Sequence, residues 1–419
     1  MSAPGYTPIS RTLGLDTAEI YELPAEHGVS NKHMLINFGP QHPATHGTLR
    51  IGLELDGEKI IRVDPEIGFL HTGFEKLGEY RTWNHFVPLS DRTQYMSAMN
   101  NNIAYCTAVE ELIGLEVPPR GTAIRVIMAE LGRIADHIIC CGLQGMDLGA
   151  FSVMLWAFIE REKVYDIFDV CSGGRLTVSY GRVGGVSFDV PQDFEARVNA
   201  FLEKVPSVLD EIDKMLSYNR IFQDRTRGIG VLSKEDAMSY GVTGPLLRAC
   251  GIAWDVRRAR PYLGYDKLEF DIPTLPDGDV FSRYKVRLLE AKQSIRIIRQ
   301  VMAKLPGGPV NSLNHKVTLP SKADVYSKME ELIHHFELTM PGFGIPVPVG
   351  EVYFSNETPN GEQGYFLVSD GSGIPYRVRI RPPSFYNYQA IVKMLTGAML
   401  SDLVSCLSSI NVIAGELDR

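Results

Sequence analysis

No two of the six cysteines stand in a C-x-x-C pair, which argues against a zinc ribbon, a thioredoxin-type centre or a cluster bound by this chain alone. Cys106, Cys140, Cys141, Cys171, Cys250 and Cys406 read instead as small buried hydrophobes of a reducing compartment. Long apolar runs are also missing. The longest, Leu148 to Ile159, falls short of the roughly 20 residues that a membrane span needs, so a membrane link has to come through a partner. There is no excess of positive charge: the 419 residues sum to −8, a field that repels a nucleic-acid backbone. No G-x-G-x-x-G opens a βαβ unit and no Walker loop occurs, so nucleotide binding by this chain is not expected. The N-terminus carries neither an apolar signal core nor an Arg-rich transit segment, and reads as a short cytoplasmic extension over residues 1–30.

A hydrophobic content of 44% with 9% aromatics is enough for a large core. Between Thr48 and Val63 apolar residues alternate at Leu49, Ile51, Leu53 and Leu55, break at Asp56-Gly57 and resume at Ile61 and Val63, the pattern of a β-hairpin. Past residue 100 the period becomes helical. Ile124, Ile127, Met128, Leu131, Ile134, Ala135 and Ile138 share one helix face, with Pro118-Pro119 ahead and Gly142 as the expected end. Further helices are expected from about Gly149 to Val170, within Asp193–Ser217, and along the stripe Phe281, Tyr284, Leu288, Ala291, Ile295, Ile298, Met302 and Leu305. Arg283, Arg287, Lys292, Arg296 and Arg299 lie off that stripe and read as a solvated or partner-facing side. Short strands at Glu351–Phe354 and Gly364–Val368 precede a helix expected from Tyr388 to about Ser408. The outline is α+β: a β-rich unit over 31–90, a helical bundle over 91–305 and an α+β part over 306–419.

Three places hold polar groups suited to chemistry. In FGPQHPATHG, His42 and His46 stand four apart on a Pro- and Gly-rich turn. Pro43 disfavours the helix a zinc protease would need there, and no base follows the first His. Alone, two such histidines are structural or surface residues as readily as catalytic ones. Arg92 and Tyr95 precede a helix start. Asp147, among small and apolar neighbours between two helices, reads either as a cap or as a charge kept for a partner.

Three segments carry a resemblance: INFGPQHPATHGTLR, the run PEIGFLHTGFEKLGEYRTWNHFVPLSDRTQYMSAMNNNIAY, and FLVSDGSGIPYRVRIRPPSF with the terminal GELDR. Over residues 31–419 the chain resembles the quinone-site D subunit of the bacterial NADH:quinone oxidoreductase, respiratory complex I, a family similar to the nickel-iron hydrogenase large subunit. The resemblance implies a hydrogenase-large-subunit-like fold. Laid on the hydrogenase patterns, Gln94, Ser97, Ile413 and Glu416 stand where four thiolates hold the metal, so no soft-ligand cage remains. It implies a quinone in the vacated cavity, with Tyr95 and His46 at the headgroup, His42 nearby, and Asp147 as the carboxylate bonded to His46. It implies that this chain binds no cofactor alone. Electrons would come from a 4Fe-4S cluster carried by the adjacent B subunit, with Arg182 and Arg175 lying toward it. The C and I subunits and the membrane-embedded H subunit are the other implied partners, C as a separate chain. The site would lie in the peripheral arm, on the cytoplasmic side of the bacterial inner membrane. Thr177, where the family commonly has His, implies a low-potential quinone such as menaquinone rather than ubiquinone. Rival readings are an energy-converting hydrogenase-type subunit, a ferredoxin-dependent relative of complex I, and a scaffold without quinone chemistry.

Overall fold

A computed structural model describes residues 19–22, 32–340 and 343–419. The expected N-terminal extension thus lies outside the described residues except for 19–22. Among the described residues no helix is long and apolar enough to cross a membrane.

Strands and helices are segregated, as the α+β reading requires. The first sheet is antiparallel, β1 (Glu19–Glu22), β2 (Lys32–Phe38), β3 (Arg50–Asp56) and β4 (Lys59–Glu66) in that order. Its β3–β4 hairpin turns at Asp56-Gly57 as expected, pairing Asp56 with Lys59. The alternation buries Leu49, Ile51, Leu53 and Leu55 against the C-terminal helix Leu400–Ile410 and its neighbours. A small pair, β5 (Gly181–Arg182) and β6 (Gly185–Val186), follows the central helices. The last sheet is β7 (Gly350–Thr358), β8 (Gly361–Ser369) and β9 (Arg377–Arg381), packed on helices Trp83–Thr93 and Ala98–Ile113. Residues 83–93, which straddle the expected edge of the β-rich unit, are therefore helical.

The bundle consists of Pro119–Asp147, Phe151–Ser172, Phe194–Ser217 and Val280–Met302, sharing one apolar core. Proline suits the first turn of Pro119–Asp147, where its missing N–H costs no bond. Asp279 caps Val280–Met302 by accepting from the Ser282 amide at 2.8 Å. Gly142 does not end its helix. It lets the next helix approach: a β carbon there would lie 2.7 Å from Ala157 Cβ. The helix continues beyond it and delivers Asp147 at its last residue.

Two other expectations need correcting. Arg283 and Arg287 are fully buried, not solvated. Arg283 donates to Ser409 Oγ (2.8 Å) and the Gly278 carbonyl (2.9 Å), and Arg287 to the Ser409 carbonyl (2.7 Å). They clamp the chain entering the C-terminal segment, and only Lys292, Arg296 and Arg299 face outward. The expected helix Tyr388–Ser408 is three: Pro383–Gln389, Ile391–Leu395 and Leu400–Ile410, broken around Gly397 at φ +86°.

A buried ionic network joins the bundle to the last sheet. Arg248 bonds Glu290 (2.5 Å) and Glu357 (2.8 Å), Arg257 bonds Asp255 (2.7 Å) and Glu130 (3.0 Å), and His137 meets Glu290 at 3.1 Å. Each ion finds a partner in a dry interior, the condition under which burying charge is tolerable. The network fixes the middle of Pro119–Asp147, and with it Asp136, beside the site.

Candidate functional site

The loop 39–47 is shaped so that His46 can leave the sheet. At Gly39 (φ +89°) a β carbon would come within 1.9 Å of the Leu49 carbonyl oxygen, so only glycine passes. Residues Pro43–Thr45 make one 3-10 turn, and the Thr45 hydroxyl bonds to the carbonyls of His42 (2.7 Å) and Gly47 (2.6 Å). His46 follows in the left-handed region (φ 53°, ψ 21°), a conformation that costs a non-glycine residue on the order of 1–2 kcal/mol. The turn throws the imidazole toward the bundle, where Nε2 lies 2.8 Å from Asp147 Oδ2. The Asp147 side chain is only 4% exposed and that of His46 14%. Asp147, the last residue of its helix, spends its carboxylate on His46 and caps no helix N-terminus. It fixes the ring through Nε2.

Tyr95 lies in the turn that follows helix Trp83–Thr93. Helix Trp83–Thr93 ends where Gln94 leaves helical geometry (φ −134°, ψ 85°), and the Gln94 carboxamide oxygen accepts from the Ser97 amide at 2.7 Å. This turn places Tyr95, half-buried, beside the terminal helix Ala414–Asp418. Burial, reinforced by the carboxylates of Glu416 and Asp136, holds the phenol above its ordinary pKa. It is therefore a protonated hydrogen-bond donor that releases its proton only to a strong base.

The His46 loop packs on the same terminal helix: a β carbon on Gly47 would lie 2.9 Å from Ala414 Cβ. Gly415 packs equally close on the other side, where a β carbon would sit 2.6 Å from the Arg92 carbonyl oxygen.

Behind this wall lie the four positions matched to hydrogenase thiolates. Gln94 Nε2 donates to Asp136 Oδ2 (2.6 Å), and Asn411 Nδ2 donates to Asp136 Oδ1 (2.8 Å) and to Asn360 Oδ1 (2.7 Å). Glu416 Oε2 accepts from the Ser384 hydroxyl and amide. Burial and the neighbouring Asp136 push the Glu416 carboxyl up to about 8. Amides, hydroxyls and carboxyls are hydrogen-bonding chemistry and do not fit a soft metal such as nickel. The cysteines are free and buried elsewhere.

The remaining candidates stand apart. His42 is exposed; it caps the 3-10 turn, Nδ1 accepting from the Ala44 amide at 3.2 Å, and its ring rests on Phe38 with centroids 4.1 Å apart. Arg175 is held by Asp166 (2.8 Å) and Glu162 of the helix before it. Arg182 donates to Ser187 Oγ at 2.9 Å and lines a cavity of about 600 Å³ with His85, Pro88 and Phe188. Sequence reasoning missed Asp136, Ser384, Asn360 and Asn411 as parts of the site. Asp136 lies next to the apolar stripe of its helix, but its partners are 42 and 275 residues away and no local pattern announces them.

The family model described as the 49-kDa subunit of respiratory-chain NADH dehydrogenase matches residues 147–419. A protein of Geotalea uraniireducens, named as the D subunit of NADH-quinone oxidoreductase, is 50% identical over 390 residues, 93% of this chain and 100% of that protein. Its namesake from Myxococcus xanthus is 48% identical over 402 residues, 96% of each chain. A Bdellovibrio bacteriovorus protein, named as the C/D subunit of NADH-quinone oxidoreductase, is 47% identical over 391 residues, 93% of this chain and 70% of that one. With matches this long on both sides, the chain belongs to the family of the respiratory-chain NADH dehydrogenase 49-kDa subunit.

Proposed function

We propose that this chain is the quinone-site subunit of a bacterial proton-translocating NADH:quinone oxidoreductase. The observation that carries the reading is the His46–Asp147 pair on a loop whose Gly47 packs against the terminal helix, beside which the Tyr95 phenol also lies. Two-electron reduction of a quinone leaves two strongly basic oxygens that need two protons and donors aimed at them. Tyr95 meets the first requirement as a phenol that keeps its proton until such a base forms. His46 meets the second as an imidazole that Asp147 orients through Nε2. Once the imidazole gives up its proton, the charge on Asp147 loses its partner. That change is local, electrostatic and able to bias a neighbouring element, which makes it the trigger for coupling to proton translocation.

The cavity descends from the metal cavity of a hydrogenase-large-subunit-like fold. Electrons reach the ring from a 4Fe-4S cluster of the neighbouring B subunit, with Arg182 and Arg175 lying toward it. The C, I and H subunits complete the surroundings, and the whole sits on the cytoplasmic face of the inner membrane in the peripheral arm. The name C/D of one relative supports adjacency to the C subunit. The test is Tyr95→Phe in the assembled complex. Quinone reduction should fall at least about 10-fold, the loss of one proton-donating group, while NADH oxidation by an artificial acceptor that bypasses the quinone stays unchanged. Unaltered quinone turnover would favour a scaffold that has lost quinone chemistry.

A further inference from the structure

Gln94 and Asn411 stand at the heads of two segments that meet at the site, the turn carrying Tyr95 and the run into the terminal helix Ala414–Asp418. One side chain holds both. Asp136 accepts from Gln94 Nε2 at 2.6 Å on one oxygen and from Asn411 Nδ2 at 2.8 Å on the other. All three residues are buried, and among the described residues Asp136 has no ion-pair partner, so these two amides are the groups its carboxylate serves.

The surrounding bonds fix which way each amide faces. The Gln94 carboxamide oxygen accepts from the Ser97 amide at 2.7 Å, which closes the turn around Tyr95 and leaves Nε2 for Asp136. Asn411 divides its two N–H bonds between Asp136 Oδ1 and Asn360 Oδ1, the second at 2.7 Å. The anchor is itself held. One turn earlier Arg133 donates to the Thr358 carbonyl at 3.0 Å, and the next residue, His137, meets Glu290 at 3.1 Å. The stretch of Pro119–Asp147 that carries Asp136 is thus tied both to β7 and to Val280–Met302.

We propose that Asp136 is a positioning residue of the quinone site, holding the Tyr95 turn through Gln94 and the approach to the terminal helix through Asn411. The inference deepens the quinone-site reading above and rests on it. Asp136 lies behind the turn and acts through Tyr95, not on the quinone. A reacting group displaced by about 1 Å loses on the order of 100-fold in rate, so a bond that pins the residue before Tyr95 has leverage on kcat.

The experiment is a cycle of variants in the assembled complex. Asp136→Asn keeps the size of the side chain but turns one acceptor into a donor, which then opposes the N–H of Gln94 or of Asn411. The expected kcat for quinone reduction falls about 10-fold or more, while the artificial-acceptor rate holds. In a Tyr95→Phe background the same substitution should change kcat by less than about twofold, because the group it positions has gone. Adding Gln94→Glu to Asp136→Asn exchanges donor and acceptor, the new carboxylate accepting from the Ser97 amide and from the side-chain amide at 136, and should recover most of the lost rate. A merely structural role would lower kcat by the same factor with and without the Tyr95 hydroxyl. Where Asp136→Asn assembles poorly, Gln94→Met breaks the same bond from its other end and must show the same dependence on that hydroxyl. Wild-type kcat in Asp136→Asn, equal losses in both backgrounds, or no recovery on exchange would overturn this inference alone. Unimpaired Tyr95→Phe would overturn the reading beneath it.

Discussion

Replacing Asp147 by Asn changes the charge behind His46 and almost nothing else. The amide has the carboxylate's size, and its oxygen can still accept from Nε2, 2.8 Å away. What disappears is the charge assistance in a pair whose carboxylate is only 4% exposed, so solvent screens it little. A hydrogen bond to a charged group contributes about 1.5–3 kcal/mol. If that contribution is made in the transition state for proton transfer and not in the resting state, its loss raises the barrier by the same amount, between about 10-fold and 150-fold in rate. The assay is NADH:quinone reductase in membranes containing the assembled complex, with an artificial-acceptor rate as the control for assembly and with proton uptake followed in parallel. Quinone reduction and translocation should fall together while the control holds. Full reductase with full translocation in Asp147→Asn would refute the reasoning and move the trigger to another group.

Two further substitutions probe the support of the site. Gly415→Ala places a methyl 2.6 Å from the Arg92 carbonyl oxygen and 2.8 Å from that of Thr93. The terminal turn must shift, at about 1–3 kcal/mol for overpacking, and KM for quinone should rise before the artificial-acceptor rate changes. Arg248→Met leaves Glu290 and Glu357 as buried, poorly compensated carboxylates. The loss should be about 3–5 kcal/mol, visible as less assembled complex at growth temperature on native gels.

Much of this fold is legible in local pattern. Alternation places the β3–β4 hairpin because Leu49, Ile51, Leu53 and Leu55 turn one apolar face to the core, and the 3.6-residue period places the bundle in the same way. Where several residues do two jobs at once, pattern misleads. Gly142 carries the composition of a helix end, yet it is selected by the approach of Ala157. Arg283 and Arg287 have the spacing of a solvated face, yet they satisfy carbonyls and a hydroxyl of a segment more than a hundred residues later. Spacing alone leaves His46 between a structural and a chemical role and Asp147 between a cap and a reserved charge. The resemblance ties them together, and the 2.8 Å contact across 101 residues gives it physical form. The carboxylates behind Tyr95 are invisible as a group because their common surroundings exist only after β7, β8, the Pro383–Gln389 helix and the terminal turn have met.

The most direct measurement is a structure of the assembled complex, trapped during turnover, with a short-chain quinone bound. One ring oxygen should lie within about 3 Å of the Tyr95 hydroxyl and the other face the His46 imidazole, distances that hydrogen bonding demands. A ring seated beyond reach of both side chains, in a complex that still reduces it, would contradict the assignment of this cavity.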